Sequence, residues 1–304
     1  MMIGKYFVRK LHTSFSLFNV EKSMLATLRK KTGYTFSNCK KALELHNNDL
    51  TKAEEWLKQQ AQSLGWSKAT KLQGRQATQG LVGVLIKNNT AALVEVNCET
   101  DFVARNEHFQ NMVHNVANTC IQHAPKPQGD RIVKVCFDTE QLKDLKTNDG
   151  KSLSDHLALM IGTVGENAVL KRAMCFKVDD NVHLSSYAHP AGNNGTETLM
   201  GRFGGVIALK QNIDKEVNLD ELGKKLCQHV VGLDPKKVGC SSDIPEKNVE
   251  DETCLIYQEY LHDENFSVKE ILEENGVEVV DFKRFGCGET GTMEQPLENV
   301  ETCQ

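Results

Sequence analysis

Two hydrophobic periods meet within residues 81–124 and fix the kind of unit that stretch can build. Leu81-Val82-Gly83-Val84-Leu85-Ile86-Lys87 and Ala91-Ala92-Leu93-Val94-Glu95-Val96-Asn97 are strand-like runs. Asn88-Asn89-Thr90 joins them, and asparagine tolerates the left-handed backbone that a tight hairpin needs. Phe109, Met112, Val113, Val116, Ala117, Cys120, Ile121 and Ala124 then recur at helical spacing, and Ala124-Pro125 ends the stripe. A hairpin and a one-sided helix bury their apolar faces together only if the helix lies on the sheet.

Between them stands Cys98-Glu99-Thr100-Asp101-Phe102-Val103-Ala104-Arg105-Asn106. Turn chemistry favours glycine, proline or asparagine at such a place. Here the centre is a large apolar ring beside a carboxylate and a β-branched residue. A ring in that position is either a plug for its own core or a wedge for a partner, and composition alone favours the plug.

The second half repeats the order of the first. Residues 168–178, 182–188 and Phe203–Leu209 alternate as strands, and Leu219, Leu222, Leu226, Val230 and Val231 mark a helix closed by Gly232-Leu233-Asp234-Pro235. Ile132–Val135 suggests a further strand, residues 152–164 a helix, and residues 190–201 a Gly/Asn/Thr-rich loop. Val268, Ile271 and Leu272 predict a helix stopping at Asn275-Gly276, followed by a last strand, Val277–Phe282. Upstream, residues 23–64 read as three short helices around a Gly33 loop, a small core in which Trp56 and Leu57 carry much of the stability. The expected class is α+β: an N-terminal three-helix bundle of the ubiquitin-associated (UBA) type, then a core of two related α+β subdomains with small antiparallel sheets. The expected boundaries are 23–64 for the bundle, 65–80 for a polar linker, 81–150 and 151–288 for the two subdomains, and 289–304 for a disordered acidic tail.

The first 18 residues carry Lys5, Arg9 and Lys10, hydroxyl residues and no acidic residue before Glu21, the composition of a mitochondrial presequence. Arg9–Ser14 also resembles a two-step processing pattern with cuts after Lys10 and Phe18. The competing reading is a frayed cytosolic N-terminus. A net charge of −5 argues against a nucleic-acid binder that relies on a basic field, and no apolar run approaches a membrane span. The 10 cysteines include no Cys-x-x-Cys pair and read as scattered reduced thiols. Gly201-Arg202-Phe203-Gly204-Gly205 lacks the Gly-Lys-Ser/Thr ending of a phosphate loop.

Thr32-Gly33-Tyr34-Thr35-Phe36-Ser37-Asn38-Cys39-Lys40-Lys41-Ala42-Leu43 resembles the N-terminal signature of the elongation factor Ts family, mitochondrial members in particular. Glu95–Asn106 resembles its second signature, the most specific match. Ile161–Asn167, Ser186–His189 and Val280–Phe285 agree in order and spacing, so the resemblance runs from about residue 23 to 288. It implies a guanine nucleotide exchange factor for mitochondrial translation elongation factor Tu in the matrix. Such a factor works by binding alone, with no catalytic residue, cofactor or metal, no direct nucleic-acid contact and no membrane. The resemblance places Asp101 and Phe102, with Val103, at the partner's GTPase domain, the ring inserting between two helices near the magnesium site. It assigns partner contact to His189 and to the bundle loop 33–41, Gly33, Phe36 and Lys40 among it. Asp101 either competes for groups around the magnesium or caps the following helix. Three features depart from bacterial members: Phe36-Ser37 stand where many carry two Met, a long coiled-coil insertion is absent, and Asn193–Thr198 lengthen the loop after His189. Two other classes remain in competition: a UBA-type ubiquitin or nascent-chain adaptor, and a cysteine hydrolase built on Cys98.

Overall fold

The helical and strand periods are realised in a computed structural model that describes residues 22–124, 132–192, 195–240 and 242–289. The segment expected to be a presequence, and the expected acidic tail beyond Glu289, lie outside the described residues. The chain divides into two units at Gln59/Gln60.

The first unit holds α1 (Lys22–Thr32), α2 (Phe36–Leu45) and the start of α3 (Leu50–Leu72). Gly33 adopts φ 69°, a left-handed value that ends α1 cheaply only without a Cβ. Thr35 caps α2 by accepting the Asn38 N–H at 3.4 Å. Leu25, Leu28, Cys39, Ala42, Leu43, Ala53 and Leu57 are buried. Trp56 is only half-buried, with the Lys41 ammonium 5.7 Å from the centre of its ring.

The run expected as a linker, 65–80, is helical to Leu72 and leads into β1 from Gln79. Lys68 Nζ donates to the Gly162 carbonyl at 3.0 Å, and Ala69 and Leu72 pack on the core of the second unit. Polar composition marked this run as a linker, but its apolar residues fall on one helical face with a surface to cover.

In the second unit β1 (Gln79–Lys87) and β2 (Thr90–Cys98) form the expected hairpin, with Asn88 at φ 50°. The short α4 (Asp101–Ala104) and α5 (Glu107–His123) follow, then β3 (Val133–Phe137), α6 (Thr139–Asp144), α7 (Leu153–Val164) and β4 (Ala168–Lys177). Beyond them come β5 (Val182–His189), β6 (Leu199–Gly201), β7 (Phe203–Gln211) and α8 (Leu219–Leu233). The described residues close with β8 (Glu259–Tyr260), β9 (Asp263–Ser267), α9 (Val268–Asn275) and β10 (Val277–Gly286). One antiparallel sheet has the order β3-β4-β2-β1-β6 and a second the order β10-β7-β5.

The sheets divide the chain differently from a boundary at residue 150. α7 and β4 belong to the first sheet and its core, and β6 crosses back from the second half to pair with β1. Strand pairing is non-local, and nothing in the pattern of residues 168–177 states which neighbour it will take.

One face of the first sheet packs under α5 and α7 through Leu85, Ala92, Val94, Val96, Phe109, Val113 and Ile161. The other face meets the second sheet, where Val82, Val84, Leu93 and Phe176 join Val206 and Phe285 in one cluster. α8 and α9 cover the far side of the second sheet. The result is helices, sheet, sheet, helices. Gly204 permits the close approach of the sheets: a Cβ there would lie 2.7 Å from Val82 Cγ1 and 2.8 Å from Val84 Cγ2.

A charged pair is enclosed in that inter-sheet layer. Arg172 Nε donates to Glu95 Oε2 at 2.7 Å, and the Gly288 N–H donates to Glu95 Oε1 at 2.8 Å. The guanidinium lies 4.2 Å from the centre of the Phe285 ring. Glu95 is fully buried and Arg172 nearly so. Because Phe285 lies at the end of β10 and Gly288 just beyond it, the pair ties the first sheet to the second. Arg172→Met strands a buried carboxylate and is expected to cost about 3–5 kcal/mol in guanidinium denaturation, most of it recovered when Glu95→Leu is added. A loss under about 1 kcal/mol for the single variant contradicts that role.

Candidate partner-binding site

β2 is buried along its whole length, so it delivers a rigid end at Cys98. There the chain makes a single helical turn, α4. Thr100 is its N-cap, the hydroxyl accepting the Val103 N–H at 3.3 Å. Asn106 caps α5 in the same way, accepting the His108 N–H at 2.9 Å.

Helical spacing then decides which side chains face inward. Val103 and Ala104 are 7% and 6% exposed and join the core under α5. Phe102 points the other way and is 79% exposed. It is therefore no plug for its own core. Leaving the ring in water forgoes about 1.5–3 kcal/mol of burial. Val103, expected among the residues that meet a partner, is corrected by this geometry: it faces inward and sets the angle of its neighbour.

Asp101 does not cap a helix, since Thr100 and Asn106 hold both caps. It sits in the first turn of α4, half exposed, with the Arg105 guanidinium 2.5 Å from its carboxylate. An exposed pair of this kind contributes little to stability and leaves the carboxylate available to a partner.

The remaining candidates lie elsewhere. His189 ends β5, an edge strand of the second sheet, with its Nδ1 3.1 Å from the Tyr187 hydroxyl. In the first unit Gly33 shapes the loop after α1, Phe36 opens α2 with 54% exposure, and Lys40 pairs with Glu44 at 3.8 Å. The structure thus brings together Asp101, Phe102 and Val103 in one turn, and holds His189 on the other sheet.

Sequence reasoning missed the groups behind the turn. Thr100 also donates to Glu166, at 3.1 and 2.8 Å to its two oxygens. Glu99 accepts the Asn167 N–H at 2.7 Å and lies 3.5 Å from Arg75. The signal was present, since Glu99 and Thr100 belong to the quoted motif and Glu166-Asn167 to the run Ile161–Asn167.

Cys98 fails as a nucleophile. It is buried, its Sγ lies 3.1 Å from the Thr100 carbonyl, and burial pushes its pKa up to about 12, with the Glu166 charge adding to the rise. Among the described residues no cluster of three or more metal-ligating side chains occurs, and no helix is long and apolar enough to cross a membrane.

An aromatic side chain held out in water by an ordered turn is a candidate contact surface. Comparison with known proteins places the chain in a family. A family model described as "Elongation factor Ts, mitochondrial, N-terminal" matches residues 8–67, and one described as "Elongation factor TS" matches residues 99–253. The chain is 57% identical over 279 residues to elongation factor Ts, mitochondrial, of Aedes aegypti, covering 90% of each chain. It is 49% identical over 303 residues to that of Drosophila melanogaster (95% and 94% covered). With the human protein it shares 43% identity over 274 residues (88% of this chain, 83% of the relative). The chain belongs to the mitochondrial elongation factor Ts family, a family of translation elongation factors.

Thiol reactivity provides a direct check on the site. Cys240 is partly exposed, and its hydrogen bonds to Ser242 hold its pKa below the usual thiol value. In native protein at pH 7.5, iodoacetamide is expected to label Cys240 first among the described cysteines and to spare Cys98. Early labelling of Cys98, read by peptide mass spectrometry, contradicts the burial of β2.

Proposed function

We propose that this chain is the guanine nucleotide exchange factor for mitochondrial translation elongation factor Tu, acting in the matrix. It binds the GTPase, speeds the release of GDP and so regenerates the GTP-bound form. The reading is carried by one observation: Phe102, at the centre of the family's second signature, is 79% exposed on an ordered turn. Family membership supports elongation factor Tu as the partner, and the exposed ring offers a means.

Exchange by binding requires no bond to be made or broken. A factor that prefers the nucleotide-free GTPase weakens nucleotide binding by the same factor by which nucleotide weakens its own binding. The preference must come from contacts that differ between the two states. A benzyl group seated in a slot that opens only when nucleotide-contacting elements shift provides such a contact. Asp101 stands one residue away, where its carboxylate competes for polar groups around the bound magnesium. His189 adds a contact from the second sheet, and Gly33, Phe36 and Lys40 add one from the N-terminal unit.

The test is release of labelled GDP from mitochondrial elongation factor Tu. Truncation of a buried aromatic anchor costs about 2–4 kcal/mol. Phe102→Ala is therefore expected to lower stimulated release by about thirty-fold to several hundred-fold at sub-saturating factor. Its melting temperature should not fall, because the ring contributes little to its own core. Release at the wild-type rate overturns the assignment of the ring.

A further inference from the structure

We infer that Glu166 and Asn167, on the turn between α7 and β4, are positioning residues that hold Phe102 in its outward pose; the inference rests on the exchange reading above. Phe102 has no packing of its own to fix it, so its direction is set by the backbone of residues 99–103. That backbone is held from one side. Glu166 accepts the Thr100 hydroxyl's hydrogen bond, shared between its carboxylate oxygens at 3.1 and 2.8 Å, and so aims the hydroxyl's acceptor side at the Val103 N–H 3.3 Å away. Asn167 donates its N–H to Glu99 at 2.7 Å. The Asn167 side-chain amide donates to the Arg75 carbonyl at 2.8 Å, while the Arg75 guanidinium lies 3.5 Å from Glu99. Gly165, at φ 81°, ends α7 and turns the chain so that both residues face the loop. Glu99 and Thr100 are thereby clamped from residues 66 and 68 positions away in sequence.

The consequence is preorganisation. An unclamped turn samples conformations that carry the ring elsewhere, and binding must then restore the outward one. Breaking the Thr100–Glu166 bonds should lower exchange without touching the partner. Glu166→Ala is expected to reduce stimulated GDP release about ten-fold, equivalent to about 1.4 kcal/mol. Glu166→Gln, whose amide oxygen accepts the same hydroxyl, should recover most of the rate.

A double-mutant cycle with Phe102→Ala separates positioning from general stability. If Glu166 acts through the ring, Glu166→Ala has no further effect once the ring is gone. Thr100→Val removes the Val103 cap together with both Glu166 bonds and should lower release at least as much, and hydrogen exchange at the Val103 amide should quicken in both single variants. Additive losses in the cycle, or a Glu166→Ala variant as active as wild type, overturn the inference while leaving the exchange reading intact. Failure of that reading looks different: Phe102→Ala itself then matches wild type.

Discussion

The Phe102 ring stays in water while the residues that set its turn are committed elsewhere. That constraint governs the candidate site. β2 is buried on both faces, Val103 and Ala104 are drawn into the core under α5, and Thr100 is fixed by its cap. One helical turn cannot bury three consecutive side chains on the same side. Phe102 is the residue left over, and the favourable packing of its neighbours holds it outward.

The same strand supports the architecture around the site. Its alternate side chains serve two layers, the helices through Ala92, Val94 and Val96 and the second sheet through Ala91 and Leu93. Glu95 belongs to the second set, which is why it is enclosed and paired with Arg172. A buried ion pair is weak support for stability taken alone. Here it also joins β2 and β4 to Phe285 near the end of β10 and to Gly288 just beyond it. The rigidity of the platform beneath Phe102 thus depends on the two sheets being closed on each other.

Much of this was legible in the sequence because it is local. The β1–β2 hairpin, the stripe of α5 from Phe109 to Cys120 and the cap-like glycines at 33 and 276 are each written in a few adjacent residues. The repeat of hairpin and helix in the second half was also visible, as β5, β7 and α8. What could not be read is what one segment does to a distant one. Glu95 looks like the solvent side of a half-buried strand until a second sheet covers it. β4 and β6 give no sign that they pair with the first sheet. Val103 looks as available as Phe102 until the helical turn assigns their faces. The clamp on Thr100 needs Glu166 brought across from another element, so the motif showed where the site lies but not how it is held.

As a wedge, the ring must produce a difference between two states of the partner, beyond simple adhesion. Calorimetric affinity for mitochondrial elongation factor Tu, free of nucleotide and saturated with GDP, measures that difference for wild type and Phe102→Ala. The ratio of the two affinities should be large for wild type and should shrink toward one for the variant. Equal weakening of both affinities, with the ratio unchanged, would show that Phe102 only adheres, and the wedge would have to be sought elsewhere.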